Sequence, residues 1–228
     1  MAKTFLIAIT GGSGSGKTTL ARAVQERLGN GRSVLLTEDN YYQPRAFYGE
    51  AALKMPHAEL ERTFNFDDPA SKDMAHLRQD LEALKRGESI DQPVYNFSIH
   101  DRDRGSVKHI DWKPVVIVEG IHCLSDLSFL PLYDLTVFVD APADLRLIRR
   151  IRRDEAERGR SAESVIQQYL SFVRAAQVRF IEPAKSACDI VVSCEAAPVN
   201  RNQQQDRDSV DRLVAPVWVQ LQKLGIAP

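Results

Sequence analysis

The chain has 228 residues, 43% hydrophobic and 27% charged, with 30 Lys and Arg against 31 Asp and Glu. A chain of this length buries about 70% of its unfolded surface, so it needs no disulfide or metal staple, and it fits one large domain or two small ones. The net charge of −1 argues against a polycation that coats nucleic acid or anionic membrane, so any basic site has to be local.

Three cysteines (Cys123, Cys188, Cys194) are odd in number and form no CxxC pair. That disfavours a secreted disulfide framework or a zinc ribbon and fits a reducing cytoplasm. The first apolar run, Phe5 to Ile9, spans five residues, shorter than the ~7–15-residue core of a signal peptide. No stretch approaches the ~18 apolar residues of a membrane helix. The expectation is a cytoplasmic protein with no membrane or nucleic-acid partner.

Residues 4–10 (TFLIAIT) read as a buried strand ended by Gly11-Gly12. Residues 17–28 switch to helical spacing, with Leu20, Val24 and Leu28 four apart and Gly29 as a stop. Residues 33–37 form a second strand. Residues 74–84 place Met74, Leu77, Leu81 and Leu84 on one helical face, and Asp68-Pro69 could open that helix. Residues 88–112 read as a hairpin laid onto the sheet, its aromatics set around the polar turn HDRDRG. Residues 115–118 and 135–139 are continuous apolar strands, as a sheet covered on both faces requires. Two helices follow, 142–158 and 163–181, broken near Gly159. A short strand at 190–192, a polar loop at 198–208 and a terminal helix started or kinked by Pro216 complete the chain. Alternating strands and helices define an α/β fold of three layers, α/β/α, with a mostly parallel sheet in a single domain over residues 1–228.

The strongest local signal is GGSGSGKT, a full match to G-x-x-x-x-G-K-[ST] between a strand and a helix. Glycines let the backbone turn its N–H groups toward phosphate oxygens, and the following helix adds its positive end. Gly11, Gly12, Ser13, Gly14, Ser15, Gly16, Lys17, Thr18 and Thr19 are therefore candidates for nucleoside-triphosphate binding. Lys17 is suited to the β- and γ-phosphates and the Thr18 hydroxyl to Mg²⁺. The guanine-reading strings NKxD and DxxG are absent, which points away from a GTP switch and toward a small-molecule kinase.

Such a kinase needs a carboxylate near the metal, a base for the acceptor hydroxyl, an acceptor pocket and cations for the transferring phosphoryl group. Asp39 follows the second strand, where ligands of open sheets bind; it can take a proton or hold Mg²⁺ through water. Glu119 ends the strand VVIV at the usual place of a metal-side carboxylate. Between residues 144 and 160 stand seven arginines (146, 149, 150, 152, 153, 158, 160) against four acids, Asp144, Asp154, Glu155 and Glu157. Arginine predominates over lysine, as bidentate phosphate contacts favour, and Gly159 could hinge a lid over about 146–161. Tyr95, Phe97 and His100 offer ring faces and a hydrogen-bonding group for a planar base, or packing for the core. Asp67 can accept from sugar hydroxyls or cap a turn.

Taken together, the strings GGSGSGKTT, DNYY, FNFDDP, PVYNFSIHDR, VEGI, DLTVFVDAPADLRLIRRIRRDEAERGRS and QQYLSFV resemble the uridine kinases of the phosphoribulokinase/uridine kinase family, from Thr4 to about Val192. The resemblance implies a P-loop kinase with an added β-hairpin and a helical lid, using ATP and Mg²⁺ on the 5′-hydroxyl of uridine or cytidine. It implies Asp39 as the base beside the metal, with Thr18 and Glu119 on the metal side and Lys17, Arg153 and Arg158 stabilising the transferred group. It implies Asp67 on the ribose hydroxyls and Tyr95, Phe97 and His100 on the pyrimidine. Arg150, Arg153, Arg158 and Arg160 match lid and acceptor-site arginines, and Gln168 a glutamine near the nucleoside. It makes a homo-oligomer an open expectation.

Two departures stand out. The stretch between Asp39 and Asp67 is longer than expected of that family, and Ser193-Cys194-Glu195 replaces a Pro-Arg-Gly-like turn. Another hydroxyl acceptor (ribulose 5-phosphate or pantothenate), a nucleotide-binding regulator of little turnover and a plain ATPase are the alternatives.

Overall fold

The computed structural model describes residues 4–195 and 203–228. Strand β1 (Phe5–Thr10) leads through the phosphate loop into α1 (Lys17–Leu28), and β2 (Ser33–Thr37) follows. Two short helices come next, α2 (Glu50–Lys54) and α3 (His57–Thr63), and then α4 (Met74–Lys85). Strands β3 (Ile90–Asn96) and β4 (Asp101–Ile110) precede β5 (Val115–Glu119) and β6 (Leu135–Asp140). Helix α5 (Ala143–Arg158) is followed by α6 (Ala162–Gln168), which runs on through π turns and the single turn α7 (Arg174–Ala176) to Ile181. Strand β7 (Ile190–Ser193) and α8 (Gln203–Lys223) end the described chain.

The main sheet has the order β2-β5-β1-β6-β7 and every pairing in it is parallel. β1 is central: Phe5 pairs with Val115 and Ile9 with Glu119 on one side, and Ile7 pairs with Leu135 on the other. Alternate side chains serve opposite faces. Ile7, Ile9, Val115, Ile117, Val137 and Val139 pack on α1 and α8, whose Leu20, Val24, Leu213, Val217 and Leu221 are buried. Leu6, Ala8, Val116 and Val118 face the other way, onto Leu77, Leu81 and Leu84 of α4. Both faces are thus covered, which explains why the strands read as unbroken apolar runs. The register brings Thr10, Thr37 and Glu119 to one end of the sheet, where the phosphate loop begins.

Several sequence expectations change. Asp68-Pro69 does not open α4: Asp68 caps a separate short turn at Pro69–Ser71, and Asp73 caps α4 by accepting from the His76 N–H at 3.2 Å. The β3–β4 hairpin forms its own two-stranded sheet beside the main one. Its turn falls at residues 97–100, so most of HDRDRG belongs to β4. The expected loop at 198–208 lies outside the described residues up to 202, and from Gln203 it is helix. Pro216 sits inside that helix rather than at its start. The helix expected at 163–181 is present, but two stretches of it, Tyr169–Val173 and Gln177–Ile181, take the wider π form.

Candidate active site

The phosphate loop follows β1 and its glycines are structurally required. Gly14 has φ +77°, and a Cβ there would collide with the Arg146 carbonyl. Arg149 clamps the loop from outside, donating to the carbonyls of Gly14 (3.1 Å), Ser15 (3.3 Å) and Cys194 (3.0 Å). Arg146 is buried and donates to the Ala141 carbonyl and to Gln177, against Gly12. These two arginines of the expected lid therefore hold the loop itself. The Ser15 hydroxyl is buried and has no hydrogen-bond partner among the described residues. A cleft of about 750 Å³ opens beside Gly14, Lys17 and Thr19, walled by Cys194 and by Val210 and Leu213 of α8. Its size lies in the range of small-molecule sites, and its loop end suits a triphosphate.

Thr18 donates to Glu119 at 3.0 Å, and Thr37 donates to the other oxygen of the same carboxylate at 3.0 Å. Burial pushes the Glu119 carboxyl up and Asp39 adds to this, while Lys17 and the two hydroxyls oppose it. Nearly buried, with two hydroxyls, Lys17 and the like charge of Asp39 around it, this carboxylate is short of positive charge. With the Thr18 hydroxyl and Asp39 it makes an all-oxygen donor set, the kind that Mg²⁺ takes.

Asp39 sits in a short turn after β2 and keeps 39% of its side-chain exposure. One of its oxygens accepts from the Lys72 ammonium at 2.8 Å. Lys72 is a residue that sequence reasoning missed. Its side chain is fully buried, lies 3.3 Å from the fully buried Glu38, and stands over the Tyr42 ring at 3.3 Å. Glu38 is fixed in turn by the His122 N–H at 2.7 Å, and a Cβ at Gly120 would strike its carboxylate. Burial alone would raise the Asp39 carboxyl, but Lys72, then Lys17 and Arg158, hold it well below the usual range. No local pattern in PASKD marks a buried cation; only the folded arrangement reveals it.

A second, smaller cavity of about 60 Å³, the candidate acceptor side, reaches Lys17, Asp39, Asp67, Phe97, His100 and Arg158. Arg150 approaches Asp67 (3.4 Å) and donates to Gln168 (2.8 Å), and Arg160 donates to the same Gln168 oxygen (2.7 Å). Arg158 lies over the Phe97 ring at 4.3 Å. Asp154, completely buried, is the shared partner of Arg150, Arg153, Arg158 and Arg160, with its shortest contact 2.8 Å to Arg153. Asp154 and Arg158, four residues apart on α5, are therefore part of a buried hub.

His100 has both ring nitrogens engaged, with Tyr95 Oη at 3.2 Å and Glu61 at 3.0 Å. Tyr95 packs on Tyr42 and Phe97 and does not line the cavity, whereas Asp39, Asp67, Phe97, His100, Arg150, Arg153, Arg158, Arg160 and Gln168 all do. Glu61, from the unexpectedly long stretch, also went unnoticed in the sequence.

A phosphate loop on a parallel sheet, a donor cleft and a carboxylate-bearing acceptor cavity together define a P-loop phosphotransferase. A model of the Phosphoribulokinase / Uridine kinase family matches residues 6–200. Curated relatives include a uridine kinase of Geobacillus sp. (strain WCH70), 42% identical over 83% of this chain and 86% of that one. A uridine kinase of Deinococcus deserti is 42% identical over 82% of this chain and 86% of its own length. The chain belongs to the phosphoribulokinase/uridine kinase family. Solved structures share the fold. A putative fructose transport system kinase from Silicibacter sp. TM1040 has TM-score 0.68 at 20% identity, covering 84% of this chain and 90% of that one. The phosphoribulokinase from Rhodobacter spheroides has TM-score 0.62 at 22% identity, covering 85% and 71%. Among the described residues, no helix is long and apolar enough to cross a membrane.

Proposed function

We propose that this chain is an ATP-dependent uridine kinase, transferring the γ-phosphoryl group of ATP to the 5′-hydroxyl of uridine or cytidine. The observation that carries the reading is the meeting of the two cavities: the cleft beside the phosphate loop and the smaller cavity share Lys17 and Arg153, and Asp39 stands in the smaller one. A plain ATPase needs no second cavity, and a regulator needs no carboxylate there.

The acceptor oxygen attacks the γ-phosphorus in line as the bond to the β–γ bridging oxygen breaks, and ADP leaves. Asp39 has one oxygen on Lys72 and, among the described residues, no hydrogen bond on the other; that second oxygen takes the hydroxyl proton. Thr18, Glu119 and Asp39 would hold the Mg²⁺, which when bound neutralises charge on the β- and γ-oxygens. Lys17, Arg153 and Arg158 spread charge at the transferring group, the kind of contribution worth about 10³–10⁵ in rate for an arginine at a loose transition state. Asp67 and Arg150 receive the ribose, Phe97 the base. A tight cavity also excludes water, so transfer outcompetes hydrolysis.

The charge balance favours a neutral acceptor. Three carboxylates, Asp67, Asp154 and Glu61, stand against the four guanidiniums of the cavity, a surplus of one, less than the charge of about −1.5 to −2 that a phosphate monoester carries. The test is release of ADP from Mg-ATP with uridine, cytidine, ribulose 5-phosphate or pantothenate. Uridine- or cytidine-dependent ADP is expected, and its absence with both nucleosides refutes the reading. Asp39→Asn should lower transfer by at least about 10² while ATP still binds by calorimetry; full activity in that variant removes Asp39 as the base.

A further inference from the structure

The long stretch after Asp39 carries two residues that the reaction does not use, His57 and Glu61. They lie one turn apart on α3, at spacing i and i+4. The hairpin turn brings His100 to them, held at φ +46°, the one non-glycine residue of positive φ among those described. One ligand atom from each of His57, Glu61 and His100 lies within 4.8 Å of the others. The His57 and His100 ring centroids are 4.2 Å apart, and His100 Nε2 is 3.0 Å from a Glu61 oxygen. We propose that His57, Glu61 and His100 form a binding site for a first-row transition cation of the zinc class on the wall of the acceptor cavity.

The chemistry of the donors supports it. Two imidazoles and one carboxylate are a known ligand set for Zn²⁺ that leaves a fourth position open. Nitrogen donors separate it from the all-oxygen group at Thr18, Glu119 and Asp39, which suits magnesium. Metal-binding histidines and carboxylates are typically fixed by outer partners, and two of the three ligands already have theirs. His100 Nδ1 meets Tyr95 Oη at 3.2 Å, leaving Nε2 for the ion. The second Glu61 oxygen meets Arg160 Nε at 3.2 Å, leaving the first. The ion would take the place of the proton between His100 and Glu61. Arg160 and Arg45 add positive charge nearby, so a moderate affinity is expected.

Because the site borders a cavity of about 60 Å³, an ion bound there competes with the acceptor. This consequence rests on the uridine kinase reading; the binding itself does not. The first measurement therefore uses protein free of nucleotide, titrated with Zn²⁺ by calorimetry and with Co²⁺ by visible absorption. One ion per chain and a tetrahedral Co²⁺ spectrum are expected. His57→Ala, on a half-buried residue, should weaken binding about tenfold or more, and Glu61→Gln likewise, with melting curves confirming both folds. No bound ion, or equal affinity in His57→Ala, overturns the site. In kinetic assays Zn²⁺ should raise KM for uridine and leave KM for ATP unchanged, and His57→Ala should relieve this; a rise in KM for ATP instead overturns the assigned location. If uridine is not phosphorylated at all, the functional reading fails while the titration still decides the metal site.

Discussion

Replacing Lys72 by Met tests the buried charge cluster behind Asp39. The Lys72 and Glu38 side chains are both fully buried and 3.3 Å apart. Among the described residues one Glu38 oxygen has no hydrogen bond of its own, and the Lys72 ammonium at 3.3 Å is the cation beside it. Removing one partner of a buried pair strands the other charge, at a cost of about 3–5 kcal/mol. The Asp39 contact adds little, because that side chain is 39% exposed and solvent screens the pair. Against a total of about 5–15 kcal/mol for a typical domain, Lys72→Met should lower the denaturation midpoint severely. Adding Glu38→Gln removes the stranded charge and should recover at least half of the loss. The assay is urea denaturation at fixed slope. A loss below about 1 kcal/mol, or a double variant no more stable than the single one, refutes the reasoning.

The pH dependence of this difference has a definite sign. Burial lowers the Lys72 ammonium, but Asp39 and Glu38 outweigh it and raise the group well above its ordinary value. A raised base contributes in full below its unfolded value of about 10.4 and loses that contribution as pH climbs through the folded value. Asp39, held low, adds its smaller, screened contribution above its unfolded value of about 3.9 and loses this as pH falls through the folded one. The gap between wild type and Lys72→Met should be level from about pH 5 to 9 and shrink outside that window.

Two further outcomes follow from the arginine hub and the phosphate loop. Asp154→Asn leaves four guanidiniums around a neutral amide; kcat should fall about tenfold or more with little change in KM for ATP, and a wild-type kcat sinks the hub as the organiser of the lid. Gly14→Ala puts a side chain at φ +77° against the Arg146 carbonyl, a strain of about 1–3 kcal/mol; calorimetry should show ATP affinity reduced, and unchanged affinity refutes the required geometry.

The parallel core was legible because apolar runs and glycine stops report local physics. α1 begins at Lys17, as its motif requires, and β2 occupies 33–37 as read. The hairpin turn was misplaced because HDRDRG is polar for a different reason: β4 is a strand of a two-stranded sheet, and Asp101 and Arg102 bond to the segment before α2 and to the loop after β2. The acceptor residues named from sequence mostly meet at one cavity, yet their supports were invisible. Lys72, Glu38 and Glu61 make long-range pairings, whereas Asp154 has its four arginines nearby in sequence and differs from an exposed helix acid by its burial. A single charged letter carries no sign of whether its partner lies four residues away or across the fold.

Those supports change what the arginine run means. A solvated lid would leave its guanidiniums free for phosphate; here Arg146 and Arg149 brace the phosphate loop, and Arg150 and Arg160 are committed to Asp67, Gln168 and Glu61. Arg153 and Arg158 remain toward the reacting centre, the latter resting on the Phe97 face. A nucleoside does not fit in about 60 Å³, since small-molecule pockets run to ~300–1,000 Å³. On the proposed reading, a base stacked on the Phe97 face that Arg158 covers would displace that guanidinium. The same displacement would free it for the γ-phosphoryl group, with Gly159, at φ +63°, placed to absorb the backbone change just beyond the helix end. Acceptor binding and delivery of the arginine would then be one event, and a chain with almost no net charge would confine its cationic chemistry to the moment the acceptor arrives.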